Sequence, residues 1–194
     1  MCPLWVSYHM KTKALEKDEL ITIFKYIKNG GNRNGIKIRA NFQIYLICFI
    51  QLNTGLRIGD VLNLKVKDII NGRIDVIEQK TGKRQNRDIN SEVVKIVKDY
   101  CRKKELGEND RLFTFSIRWV QKFLQKVSKC TEIENFSTHS FRKTYAHIQY
   151  TNNRYNIELV RRLLNHSSVV VTQKYLGVTD TEVNRASQGF KIIL

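Results

Sequence analysis

Apolar residues recur along the chain with two different periods. From Glu16 to Lys28, Leu20, Ile23, Phe24 and Ile27 fall at helical spacing, and Asn29-Gly30-Gly31 predicts the stop. Ile38 to Leu52 is apolar on nearly all sides, the mark of a central buried helix, and Thr54-Gly55 ends it. Ile58, Val61, Leu62 and Leu64 predict a short helix directly afterwards. The period then changes. Arg73–Glu78 and Arg87–Asn90 are short extended runs with Thr81-Gly82 between them, which predicts a β-hairpin. Ser91 is the expected cap of a helix whose apolar face is Val93, Val94, Ile96 and Val97. Another helix is expected from about Ser116, with Trp119, Val120, Phe123, Leu124 and Val127. Three more are expected at about Thr138–Tyr150, Ile157–Leu164 and Val169–Leu176. The pattern predicts a mainly α domain with a small antiparallel β-sheet, an α+β fold, over residues 15–194. Residues 1–14 are expected to form a leader. Past Gly177, Thr179-Asp180 resembles a helix start, with Val183, Ala186 and Phe190 at helical spacing, in a tail of residues 178–194.

Composition narrows the function. The 194 residues hold 34 Lys and Arg against 18 Asp and Glu, a net charge of +16. Charge of that size on one domain points to a polyanion, and double-stranded DNA is the natural partner. Gln79–Lys104 alone carries nine basic and three acidic residues, suited to tracking a phosphate backbone. No apolar run approaches the ~20 residues that span a bilayer, and no basic helix carries an exposed apolar face, so a membrane partner is not expected. The four cysteines, Cys2, Cys48, Cys101 and Cys130, form no C-x-x-C pair. They read as reduced thiols, and with no signal peptide at the N-terminus the expected location is the cytoplasm. No H-E-x-x-H or acidic cluster with ligand spacing occurs, so neither metal nor cofactor is expected.

Three segments carry candidate chemistry: T-G-L-R-I-G-D at Thr54–Asp60, T-H-S-F-R-K-T-Y-A at Thr138–Ala146, and L-L-N-H-S-S at Leu163–Ser168, followed by Q-K-Y-L at Gln173–Leu176. Here the chain resembles the tyrosine recombinase (phage integrase) family, over about residues 15–185. That family has an Arg after T-G-x, a hairpin Lys, H-x-x-R, a second His, and a Tyr nine residues on. This sequence supplies Arg57, Lys80, His139, Arg142, His166 and Tyr175 in that order. Taken singly, a helical histidine is an ordinary residue, and His9 and His147 are read so. Six groups in order with fitting context are not ordinary.

The residue types suit metal-free phosphodiester cleavage. Two planar guanidinium groups, Arg57 and Arg142, can each donate paired hydrogen bonds to phosphate oxygens. Asp60, three residues after Arg57 and expected on the same helical face, could hold that guanidinium in place. His139 and Arg142 lie one helical turn apart. The resemblance implies that His139 accepts or orients the nucleophile's proton and that His166 donates to a non-bridging oxygen. It implies that Lys80 protonates the leaving 5′-oxygen, with Lys83 the rival, and that Tyr175 attacks to give a 3′-phosphotyrosyl link. It also implies a homotetramer on paired DNA sites, in a bacterium or encoded by a virus or mobile element.

Three positions depart from the family pattern: Asn165 stands in place of a usual Gly, Phe141 of Leu, and Lys143 of His or Arg. Only about 15 residues precede the first expected helix, where the family usually carries an N-terminal core-binding domain. A short single-domain member, like the fimbrial-switch invertases, is the expected form, and a fragment of a longer integrase is the alternative. An inactive DNA-binding regulator and a type IB topoisomerase-like enzyme are the rival functions.

Overall fold

The structure, a computed structural model, describes residues 12–33, 35–177, 184 and 187–192. The chain divides into two compact units, Met1–Tyr145 and Ala146–Leu194, the division falling within one helix.

The first unit is built on α1 (Lys17–Asn29), α2 (Phe42–Thr54), α3 (Ile58–Asn63), α4 (Ser91–Lys104), α5 (Ile117–Thr131) and the start of α6 (Thr138–Asn152). The sequence explains most helix ends. Asn41, Asn90 and Ser116 cap α2, α4 and α5 by accepting backbone N–H groups from Ile44 (3.0 Å), Glu92 (2.8 Å) and Trp119 (3.2 Å). The cap of α4 is thus Asn90, and Ser91 is its first helical residue. Helix α2 buries Ile44, Leu46, Ile47, Cys48 and Ile50 and packs on α1, α3 and α4, as its all-round apolar pattern requires. Each such side chain, fully covered, contributes roughly 1.5–3 kcal/mol. Cys48, Cys101 and Cys130 are buried free thiols.

Two antiparallel hairpins flank these helices. β3 (Arg73–Ile77) pairs with β4 (Arg84–Asp88) in the register Arg73↔Asp88 to Ile77↔Arg84. The second strand therefore begins three residues before the predicted Arg87. Its sequence, Arg-Gln-Asn-Arg-Asp, has no apolar residue to reveal it. A second hairpin, β1 (Gly31–Arg33) with β2 (Ile36–Ile38), is absent from the prediction, and Ile38 belongs to it rather than to α2. Three-residue strands leave too little alternation to read.

The expected leader is partly tied down. Lys13 N–H donates to Asn135 O (3.1 Å), Leu15 N–H donates to Thr144 Oγ1 (2.7 Å), and Leu15 is buried. Residues 1–11 lie outside the described residues.

The second unit holds the end of α6, then α7 (Ile157–Leu163) and α8 (Val169–Leu176), which pack on each other. Asn156 and Ser168 cap them. Most of the predicted tail helix, including Thr179, Asp180, Val183 and Ala186, lies outside the described residues; Phe190 and Ile192 are exposed.

Candidate active site

Four of the six candidate residues lie in the first unit. Gly55 ends α2 in the left-handed region, at φ +65°. A Cβ there would sit 2.4 Å from Cδ1 of Tyr145, so only glycine fits. The turn presents its carbonyls to two cations. Arg142, on α6 and 2% exposed, donates from a terminal guanidinium nitrogen to Gly55 O at 2.5 Å. Arg87, on β4, donates to Thr54 O and, at 2.9 Å, to the Tyr145 hydroxyl. Cations at a helix C-terminus are favourable against the helix dipole.

Arg57 is the N-cap of α3, with extended backbone angles, φ −68° and ψ 150°. The carboxylate that holds its guanidinium is Glu78, at 2.6 Å. This corrects the expected pairing with Asp60. Arg57 lies just outside the helix, so the three-residue spacing does not put the two side chains on one helical face. Asp60 instead accepts the backbone N–H of Gln79 at 2.9 Å. Burial pushes the Asp60 carboxyl above its usual pKa; the Gln79 hydrogen bond opposes this and the nearby Glu78 charge adds to it.

Lys80 sits exposed in the turn of the β3–β4 hairpin, between Gln79 and Thr81. Lys83, the rival, is also exposed, and its N–H points to Thr81 Oγ1 at 3.4 Å. His139, in the first turn of α6, keeps an exposed edge, yet withdrawal of its ring from water lowers its pKa. The cations Arg142, Lys80, Arg57 and Lys143 lower it further. Four cations that disfavour charge on the imidazole leave it suited to accept a proton, and suit the same place to an anion.

The other two candidates lie in the second unit. His166 is buried, its Nδ1 3.1 Å from Thr172 Oγ1, and its backbone N–H donates to Arg161 O at 3.0 Å. The rings of His166 and Tyr175 meet edge-on, centroids 5.3 Å apart. Just before His166, Asn165 takes φ +55°, a left-handed position that Asn tolerates in place of glycine. The other two departures also have local causes. Phe141 is buried against Phe24 and Phe136, and the Lys143 ammonium donates to Thr12 O.

Residues 13–182 match the Phage integrase family. The chain belongs to that family. It is 31% identical over 153 residues to a tyrosine recombinase XerC of Caldanaerobacter subterraneus, covering 73% of this chain and 43% of that one. It is 30% identical over 159 residues to the probable integrase/recombinase YoeC of Bacillus subtilis, covering 77% and 85%. The fold matches the catalytic domain of bacteriophage HP1 integrase, with TM-score 0.64, 21% identity, and 92% and 95% of the two chains covered. It also matches XerH site-specific recombinase bound to its palindromic difH substrate, with TM-score 0.70, 20% identity and 91% and 52% coverage. This phage integrase family chain therefore has the mainly helical fold with small antiparallel sheets that its pattern predicts. No helix among the described residues is long and apolar enough to cross a membrane.

Sequence reasoning missed Glu78, Arg87 and Thr172. Strand parity held a signal for the first two. Ile74, Val76 and Glu78 share one face of β3 and its continuation, and Ile74 and Glu78 are buried. On β4, Gln85 and Arg87 share a face. A charged residue on the inward parity of a hairpin needs a partner.

Proposed function

We propose that this chain is the catalytic part of a site-specific DNA recombinase, an integrase or invertase that cuts and rejoins double-stranded DNA through a 3′-phosphotyrosyl intermediate. The observation that carries this is the turn at Gly55, whose carbonyl takes the Arg142 guanidinium at 2.5 Å and which leads into Arg57 at the N-cap of α3, in a chain of the phage integrase family.

Each group has a task in that reaction. Arg57 and Arg142 donate to the non-bridging oxygens and stabilise the charge of the five-coordinate transition state. The phenol oxygen of Tyr175 attacks phosphorus while its proton passes to His139. The bond from phosphorus to the 5′-oxygen breaks, and the Lys80 ammonium protonates the departing oxygen. His166 would donate through Nε2–H to a non-bridging oxygen, the tautomer that leaves Nδ1 free to accept from the Thr172 hydroxyl 3.1 Å away. Rejoining is the reverse, with the 5′-hydroxyl attacking the phosphotyrosine and the protons returning, so no ATP is consumed. The roles of His166 and Tyr175 rest on the motif order and the family. All six groups are present, so a regulator that has lost catalysis is not favoured. The net charge of +16 supplies DNA affinity. The protein would act as an assembly on paired DNA sites, a tetramer by the family's pattern. A bacterial cytoplasm, its own or that of a host for a mobile element, fits the bacterial relatives.

The test is covalent capture. Nicked, end-labelled DNA fragments tiled across the gene's own neighbourhood are incubated with protein and resolved under denaturing conditions. A protein–DNA adduct that disappears in Tyr175→Phe supports the function. An adduct that persists in Tyr175→Phe, or no adduct with any fragment, overturns it.

A further inference from the structure

Glu78 is fully buried, 0% exposed, at the mouth of the β3–β4 turn. Its two carboxylate oxygens are both engaged. Oε2 forms an ion pair with the Arg57 guanidinium at 2.6 Å and accepts from the Thr81 hydroxyl at 2.5 Å, and Oε1 accepts from the Gln85 amide at 2.8 Å. The turn backbone is closed separately: Glu78 N–H donates to Lys83 O and Gly82 N–H donates to Glu78 O, both at 2.9 Å. Hairpin closure therefore does not need the charge. An apolar residue of similar size would serve it without the desolvation penalty of a buried ion. The charge is explained by what it joins. One carboxylate reaches Arg57 on one side and Thr81, the residue after Lys80, on the other. From α3, Asp60 takes the N–H of Gln79, the residue before Lys80. Both chain neighbours of Lys80 are thus tied down while its own side chain stays exposed.

We propose that Glu78 is a positioning residue that sets the general acid and a phosphate-binding arginine in register, through Thr81 to Lys80 and directly to Arg57. This rests on the roles given to Lys80 and Arg57 above and adds the device that links them. Two consequences separate it from a purely structural acid. Loss of the Thr81 tie disturbs only proton delivery to the leaving oxygen. Loss of the Glu78 charge disturbs both proton delivery and the guanidinium.

The experiment uses the full chain in single-turnover cleavage of nicked DNA in two forms, ordinary and with sulfur at the bridging 5′ position. A thiolate leaves without a proton, so the sulfur substrate bypasses the general acid. Thr81→Val alters one exposed side chain and is the variant least able to disturb folding. It should slow cleavage of ordinary DNA about tenfold, the scale of one lost hydrogen bond, and cut the sulfur substrate at the unmodified protein's rate. Glu78→Gln should lose more on ordinary DNA and recover only in part with sulfur, the residue of the defect being Arg57; Glu78→Asp should fall between. Equal losses on both substrates in Thr81→Val, or unchanged cleavage of ordinary DNA by either Glu78→Gln or Thr81→Val, overturns the proposal. Lys80→Ala separates the two levels. If sulfur rescues it while Thr81→Val is not rescued, the positioning role fails alone. If sulfur does not rescue Lys80→Ala, the general-acid role fails first and the positioning role falls with it. If Glu78→Gln melts at a lower temperature than the unmodified protein, the Thr81→Val comparison decides.

Discussion

The guanidinium of Arg142 donates to the carbonyl of Gly55, 87 positions earlier in the chain, at 2.5 Å. This contact explains why the T-G pair precedes Arg57 in the motif. The glycine ends α2, its carbonyl anchors Arg142, and the chain then turns into α3 with Arg57, the other arginine proposed to bind phosphate, at its N-cap.

Gly55→Ala should be costly for two separable reasons. A left-handed residue with a Cβ is strained by about 1–2 kcal/mol, and the new methyl would lie 2.4 Å from the Tyr145 ring. Chemical denaturation should show a loss of stability above the strain figure, with Tyr145→Ala restoring part of it. A loss no larger in Gly55→Ala than in a Gly→Ala change at Gly82, also left-handed but with no neighbouring atom within 4 Å, would show that the ring contact is unimportant.

His139 gives a pH prediction with a definite sign. Its pKa lies below the ordinary 6.5 because its ring is withdrawn from water and flanked by cations. Lowering the pH through 6.5 protonates the unfolded imidazole before the folded one, so this group's contribution to stability is complete above 6.5 and declines below it. Cleavage should likewise persist at pH 6.5 and fall only at lower pH. NMR titration of labelled histidines, assigned with His139→Gln, should put the midpoint below 6.5, and Lys80→Met should raise it. A midpoint at or above 6.5 would remove the basis for a neutral proton acceptor.

Much of the architecture was legible because its signals are local. Ser116 as a cap and the apolar stripe Val120, Leu124 and Val127 locate α5 without any tertiary knowledge. The same holds for α2, whose unbroken apolar run could only be buried. What escaped depends on pairs distant in sequence. Nothing near Arg57 announces that Glu78, 21 positions on, will hold it. The i, i+3 spacing to Asp60 pointed to the wrong partner, because the rule applies within a helix and Arg57 stands outside one. The β1–β2 hairpin escaped because Gly-Asn-Arg carries no apolar alternation. The six motif residues were legible as types and order; the hydrogen bonds that orient them were not.

Asn165 should tolerate glycine and resist β-branching. Its φ of +55° is open to Gly and Asn but strained for Val, and its amide nitrogen is among the buried side-chain atoms with no hydrogen-bond partner, so removing the side chain loses no such bond. Asn165→Gly should leave the unfolding midpoint nearly unchanged or raise it, while Asn165→Val should cost about 1–2 kcal/mol. Equal effects from the two substitutions would mean that the backbone angle does not govern the choice of residue.

The last prediction concerns how His166 is oriented. The Thr172 hydroxyl has a single proton and two acceptors in reach, Nδ1 of His166 at 3.1 Å and Ser168 O at 3.4 Å. The shorter contact favours donation to Nδ1, which leaves the proton of a neutral ring on Nε2, where it can donate to a phosphate oxygen. Thr172 is fully buried, so Thr172→Val keeps the volume and deletes only the hydroxyl. One neutral hydrogen bond is worth about 1 kcal/mol, and freeing the tautomer should slow cleavage about fivefold. DNA affinity should not move, because the charged groups proposed to bind phosphate are untouched, and Thr172→Ser should restore the rate by returning the hydroxyl without the methyl. If Ser is no better than Val, the threonine acts through packing. If affinity falls in step with the rate, His166 contributes equally to ground-state binding and to the transition state, and the tautomer is not what Thr172 controls.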